Sequence, residues 1–159
     1  MVIEAELKGG AGAIYHVMDD GDVARIMRHP MTAIASDGAL SRPGVEHPHP
    51  RAYGTYPRIL GKYVRDERVL SLEDAVRKAT SAVATRLSIQ DRGVLREGLY
   101  ADVVVFDPST IADRATFERP HQVSSGVRDV FVNGVGVVRG GRHTGAKPGR
   151  VVRGPGYLR

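Results

Sequence analysis

Two short apolar runs, "AIYHVM" at 13–18 and "TAIAS" at 32–36, bracket a single stretch of helical spacing, and this arrangement restricts the fold more than any other feature. Between them, Asp19, Asp20 and Asp22 offer helix N-caps, and Val23, Ile26 and Met27 recur at the period of one helix face. Pro30 ends that helix. Two strands joined through a helix run parallel, because parallel strands need a long crossover whereas a tight hairpin joins antiparallel ones. A β-α-β unit of this size cannot close a barrel, which takes roughly 200 residues or more. With 159 residues in all, the chain reads as part of a larger α/β assembly.

The rest divides in two. Residues 38–54, "GALSRPGVEHPHPRAYG", are rich in proline and glycine and read as a long loop of the kind that carries function. "YPRILGKYVRDERV" at 56–69 reads as a helix interrupted near Gly61, and Ser71 opens the clearest helix, with Leu72, Ala75, Val76, Ala79, Thr80 and Val83 on one face. After Arg92-Gly93 the period changes. "ADVVVFD" is a β-branched strand, and Asn133-Gly134 splits "VRDVFVNGVGVV" into a hairpin. The Gly/Arg-rich remainder reads as an extended tail lying on another part of the protein. The expected organisation is an α/β part over 1–90 and a small β part with its tail over 91–159.

Composition narrows the function classes. Hydrophobic residues make up 42% and charged residues 26%, an ordinary globular balance. No apolar run approaches the length of a membrane span, and the first residues lack the features of a signal peptide. Cysteine is absent, which excludes disulfides and thiolate ligands and favours a reducing, cytoplasmic setting. The net charge is +5, yet the arginines are scattered and no basic helix or aromatic-basic motif organises them, so nucleic acid is not expected as a partner.

Asp37 is the sharpest candidate for chemistry. A carboxylate at the C-terminal end of a parallel strand faces the mouth where α/β enzymes place their reactions, and there it can bind a metal or take a proton from water. The plain alternative is a turn aspartate before Gly38. His47 and His49 in "HPHP" share the spacing of metal-ligand pairs, but the prolines force a loop, and stiffening or substrate contact fits them better. Arg51 carries the planar fork suited to a carboxylate, or is one surface arginine among many. His16 reads as a packing residue. Nothing is assigned to His29, His121 or His143.

Taken together, "GGAGAIYHVM", "ASDG", "HPHPRAYGTYPRILGKYVR", "SLEDAVRKATSAVATRL", "ADVVVFDP", "VFVNG" and "HTGAKPGR" resemble the C-terminal third of D-aminoacylases, the N-acyl-D-amino-acid deacylases of the amidohydrolase superfamily. The resemblance implies a zinc-dependent hydrolase built on a (β/α)8 barrel with a small β-sandwich. Residues 1–90 would supply the last barrel strands and helices, and 91–159 a share of the sandwich. It implies that Asp37 binds or faces the metal and moves a proton from the attacking water to the leaving amine. Arg51, with His49 beside it, would hold the carboxylate of an N-acyl-D-amino acid. The family's other metal ligands match nothing in this sequence, so the chain alone is expected not to retain zinc and to be inactive. It is expected to form a homodimer or to pair with a missing N-terminal portion. Two other readings remain open: a non-catalytic subunit or pseudoenzyme, and an amidohydrolase acting on a cyclic amide or a dipeptide.

Overall fold

Local signals start and stop the helices. A computed structural model describes residues 2–7 and 17–157. After a short helix α1 (Val2–Leu7), helix α2 (Asp20–Arg28) begins where the Asp19 carboxylate accepts from the Asp22 amide at 3.0 Å. It carries acids in its first turn and Arg25 and Arg28 in its last, as the helix dipole favours. It ends at His29, whose extended backbone (ψ 131°) is what a following proline requires.

Helix α3 (Arg51–Arg58) starts earlier than the sequence pattern indicates, and it runs without a break into a π-helical stretch, Ile59–Asp66. Pro57 lies inside it, where proline has no N–H to give and crowds the carbonyl four residues back, that of Tyr53. The Ser124 hydroxyl donates to this carbonyl at 3.2 Å, so its hydrogen bond is replaced rather than lost. The expected interruption at Gly61 is instead a close contact: a Cβ there would lie 2.6 Å from the carbonyl oxygen of Ile111. Helix α4 (Leu72–Ala79) is capped by the Ser71 hydroxyl, which accepts from the Asp74 amide at 3.1 Å. The single helix expected from Ser71 onward breaks at Thr80, whose hydroxyl turns back to the Val76 carbonyl, and resumes as α5 (Ser81–Arg86).

The helical layer has its own core. Met27 from α2, Ile59 and Tyr63 from the π-helical stretch, Val69, Leu70, and Ala75 from α4 are buried together, and Ile34 joins them from residues 31–40. The expected strand at 32–36 makes no strand pairing among the described residues. Its burial alternates nonetheless, with Thr32, Ile34 and Ser36 covered and Ala33, Ala35 and Asp37 exposed. The reason is physical: a strand needs neighbours, and no other described segment supplies a parallel one. Most of its expected partner at 13–18 lies outside the described residues, and Val17 and Met18 form no regular element.

The described sheet is antiparallel, with strands β1 (Val103–Phe106), β2 (Val127–Val132), β3 (Val135–Arg139) and β4 (Arg142–His143) in that order. Asn133 and Gly134 both have positive φ (49° and 81°), the geometry of the tight hairpin their sequence announces. Buried Ile111 and the underlying Gly126 join this sheet to the helical layer. The tail lies back on the hairpin, where Asn133 donates to the Pro148 carbonyl at 2.7 Å.

Candidate functional site

The residues exposed along one face of 31–37 end in Asp37. Its backbone lies in the left-handed region (φ 46°), unusual for a residue with a side chain. Gly38 follows, and there the chain presses so closely on the start of α3 that a Cβ would fall 2.8 Å from the Ala52 Cα. This contact brings two residues fourteen positions apart into register. Arg51, the first residue of α3, folds its side chain back, donating from Nε to the Asp37 carbonyl at 2.9 Å and pairing Nη2 with the Asp37 carboxylate at 2.7 Å. One guanidinium therefore holds both the backbone and the side chain of Asp37. The pair faces outward, with 84% of the Asp37 side chain and 46% of the Arg51 side chain exposed.

His49 supports Arg51 from behind. Its Nδ1 accepts from the Arg51 amide at 3.0 Å, satisfying one of the amides a helix start leaves free, so a neutral ring carries its proton on Nε2. The ring stands edge-on to Phe117, with centroids 5.1 Å apart. His47 meets the Phe117 carbonyl through Nε2. The two histidines of "HPHP" thus both reach Phe117, one to its ring and one to its backbone.

His121, to which the sequence pattern assigns no role, completes the support. Its Nε2 lies 2.8 Å from the Glu46 carbonyl and its Nδ1 2.9 Å from the Tyr53 hydroxyl. A carbonyl can only accept, so Nε2 carries the proton and Nδ1 receives the Tyr53 hydrogen. The long loop before α3 is fastened in this way to residues 116–122. Nothing in the sequence near His121 marked it in advance. Lys78 was missed altogether. It is fully buried and its ammonium donates to the His29 and Thr32 carbonyls, steadying the turn from which 33–37 run. His16 lies outside the described residues.

A catalytic zinc takes three protein ligands and a structural zinc four. Among the described residues no group of three or more His, Asp or Glu is placed to hold a metal ion. Asp37 offers one carboxylate, and Arg51 already engages it. These residues by themselves do not fit a zinc centre.

Residues 6–138 match the amidohydrolase family over most of the chain. The chain belongs to the amidohydrolase family. Among curated amidohydrolases, it is 49% identical over 142 residues to a D-aminoacylase of Alcaligenes xylosoxydans xylosoxydans, covering 89% of this chain and 29% of that protein. It is 47% identical over 142 residues to an N-acyl-D-aspartate deacylase of the same organism, covering 89% and 28%. Among solved amidohydrolases, it superposes on the N-acyl-D-glutamate deacylase of Bordetella bronchiseptica, crystallised with zinc and a phosphonate mimic of the tetrahedral intermediate. The TM-score is 0.75 at 44% identity, over 84% of this chain and 30% of that one. The family expected from the motifs is therefore correct, and helices with a small antiparallel sheet agree with part of a larger α/β domain. The chain spans less than a third of the length of these relatives. No helix among the described residues is long and apolar enough to cross a membrane.

Proposed function

We propose that this chain is the C-terminal share of an N-acyl-D-amino-acid amidohydrolase, whose reaction is hydrolysis of an N-acyl-D-amino acid to a carboxylate and a D-amino acid. The observation that carries the reading is identity close to one half, over 142 residues, with relatives named as deacylases of such compounds. They differ in the side chain of the amino acid and share the acyl amide and the α-carboxylate. A proton-accepting carboxylate and a carboxylate-gripping arginine are the two groups such a substrate needs from this region, and Asp37 and Arg51 lie in contact.

In this reading Asp37 moves the proton of the hydrolytic step, Arg51 holds the substrate carboxylate, and His49 keeps Arg51 in place through its backbone amide. The alternating burial of residues 32–37 supports a barrel strand, with Ala33, Ala35 and Asp37 toward the lumen and Ile34 against the helices. Residues 1–90 would then be barrel strands and helices, and 91–159 a share of a β-sandwich. Among the described residues no group of three or more acids or histidines is placed to hold zinc, so alone the chain is inactive. Exposed Met31 and Leu40 mark the side on which a complementary polypeptide, or a second copy, would pack. The same shortage of ligands favours a second reading, a non-catalytic subunit.

A chimera decides between them. This chain replaces the matching segment of the Alcaligenes D-aminoacylase, and release of D-methionine from N-acetyl-D-methionine is followed with bound zinc. The chimera is expected to bind zinc and turn over, Asp37→Ala within it to lose activity, and the isolated chain to do neither. A folded, zinc-loaded chimera without activity would reject the deacylase reading. Zinc-dependent turnover by the isolated chain would reject the ligand argument.

A further inference from the structure

The geometry points to Asn133-Gly134 as a self-modification site. Attack of the Gly134 nitrogen on the Asn133 side chain expels ammonia, converts Asn133 to an acid and releases the tail from the hairpin. Asn133 is the only asparagine in the chain, and the glycine after it has no side chain to hinder the attacking nitrogen. The inference concerns the hairpin and its tail and stands apart from the deacylase reading.

The reaction is intramolecular. The Gly134 nitrogen gives up its proton and bonds to Asn133 Cγ, the bond from Cγ to Nδ2 breaks, and ammonia leaves behind a cyclic imide. Water then opens the imide at either carbonyl, giving aspartate or isoaspartate. One water enters, one ammonia departs, and nothing is oxidised or reduced.

In the fold, each atom that must move has a partner from elsewhere in the chain. The Gly134 amide, whose proton must be lost, donates to the Ala101 carbonyl at 2.9 Å. Asn133 Oδ1 accepts from Arg92 Nη2 at 3.0 Å, and Nδ2, the departing nitrogen, donates to the Pro148 carbonyl at 2.7 Å. A guanidinium only donates and a carbonyl only accepts, so these partners fix the amide in one orientation. Arg92 is itself held, paired with Asp102 and lying 4.6 Å from the centre of the Tyr100 ring. Deamidation therefore waits on opening of the turn or the tail.

The product does not fit the place it came from. A carboxylate has no hydrogen to offer, so its oxygen and the Pro148 carbonyl meet as two acceptors. Asp102 already accepts from the Asn133 amide at 2.7 Å and pairs with Arg92. A second carboxylate beside it competes for the same guanidinium, and the two acids repel each other. Isoaspartate also lengthens the main chain at the turn. Both products detach the tail at Pro148, and with it Arg150, whose guanidinium lies 5.9 Å from the Tyr100 ring.

The test is incubation of the 159-residue chain at mildly alkaline pH, folded and in urea, with deamidation followed by intact mass and located by peptide mapping. The folded chain is expected to convert at Asn133 about tenfold to a hundredfold more slowly than the unfolded one, the range that two or three hydrogen bonds supply. Tail release is read by the rate of tryptic cleavage after Arg150 and Arg153. Asn133→Asp is expected to speed that cleavage about fivefold or more, and the deamidated fraction of aged parent to match it. Asn133→Gly keeps the turn and adds no charge, and is expected to fall between the parent and Asn133→Asp. Equal rates in the folded and unfolded chains overturn the clamp, and no conversion of the folded chain overturns the self-modification. Cleavage of Asn133→Asp at the parent rate overturns release of the tail.

Discussion

Replacing Lys78 by methionine probes what holds the Asp37 segment in place. Lys78 is the most deeply buried cation among the described residues, with none of its side chain exposed. Methionine keeps most of the stem and removes the ammonium. The His29 carbonyl would still accept from the Thr32 amide at 3.0 Å, but the Thr32 carbonyl loses the 3.2 Å bond from Nζ. A buried carbonyl left unpaired costs about 1–3 kcal/mol, and the charged bond to His29 adds about 1.5–3 kcal/mol. The Asp74 carboxylate, 3.8 Å from Nζ, keeps its closer partner Arg77 at 2.8 Å, so little is lost there. Against this, the ammonium no longer has to be held out of water, which returns part of the cost. The net expectation is a loss of about 2 kcal/mol, or a fall in Tm of roughly 4–8 °C for a chain of this size. Urea unfolding followed by circular dichroism measures the first. Hydrogen exchange at the Ile34 amide, which donates to the Lys78 carbonyl at 3.1 Å, reports whether the turn loosens. A variant within 0.5 kcal/mol of the parent, with Ile34 exchange unchanged, would refute the reasoning and show that desolvation of the ammonium cancels its bonds.

Two further outcomes follow from contacts elsewhere. Gly61→Ala places a methyl 2.6 Å from the Ile111 carbonyl and is expected to lower stability by about 1–3 kcal/mol; an unchanged urea midpoint would rule out that close approach. The Asp129 carboxyl is held below the usual carboxylate range by its bonds from Arg128 and from the Gly140 amide, which outweigh the opposing effect of burial. A depressed pKa means the unfolded chain binds the proton more readily. The stabilisation is therefore complete above about pH 4 and lost as pH falls below that value. Urea midpoints at pH 7 and pH 3 should differ less in Asp129→Asn than in the parent, and equal differences would remove Asp129 from the acid response.

What could be read in the residues divides along the distance of the interactions involved. Asp19 and Ser71 cap helices, and Asn133-Gly134 turns a hairpin, through contacts within a few positions, and all three are legible from type and spacing. The early start of α3 is not legible because the rule against proline in a helix is local, whereas the Ser124 hydroxyl that serves the Tyr53 carbonyl comes from 71 positions away. The strand expected at 32–36 is left without pairing among the described residues for the complementary reason. Its alternation is present in the burial of Ile34 and the exposure of Ala33 and Ala35, but most of its expected partner at 13–18 lies outside the described residues. Lys78 escaped because a lysine on a helix ordinarily reaches water, and nothing nearby in sequence marks the two carbonyls that bind it.

The site follows the same division with one addition. Asp37 and Arg51 stand out individually, one by its place before a glycine at the end of an apolar run and the other by its place after "HPHP". Their mutual contact does not, because it depends on how the loop between them closes. That closure is set by side chains meeting main-chain atoms: His47 on Phe117, His121 on Glu46, and the Glu46 carboxylate on the Arg42 amide at 2.9 Å. Such contacts constrain the loop from its far side and leave the Asp37 and Arg51 charges facing outward. An ion pair built this way is positioned by scaffold contacts rather than by its own attraction, which exposure keeps weak. Its geometry is therefore set by contacts that do not depend on the charge of either side chain.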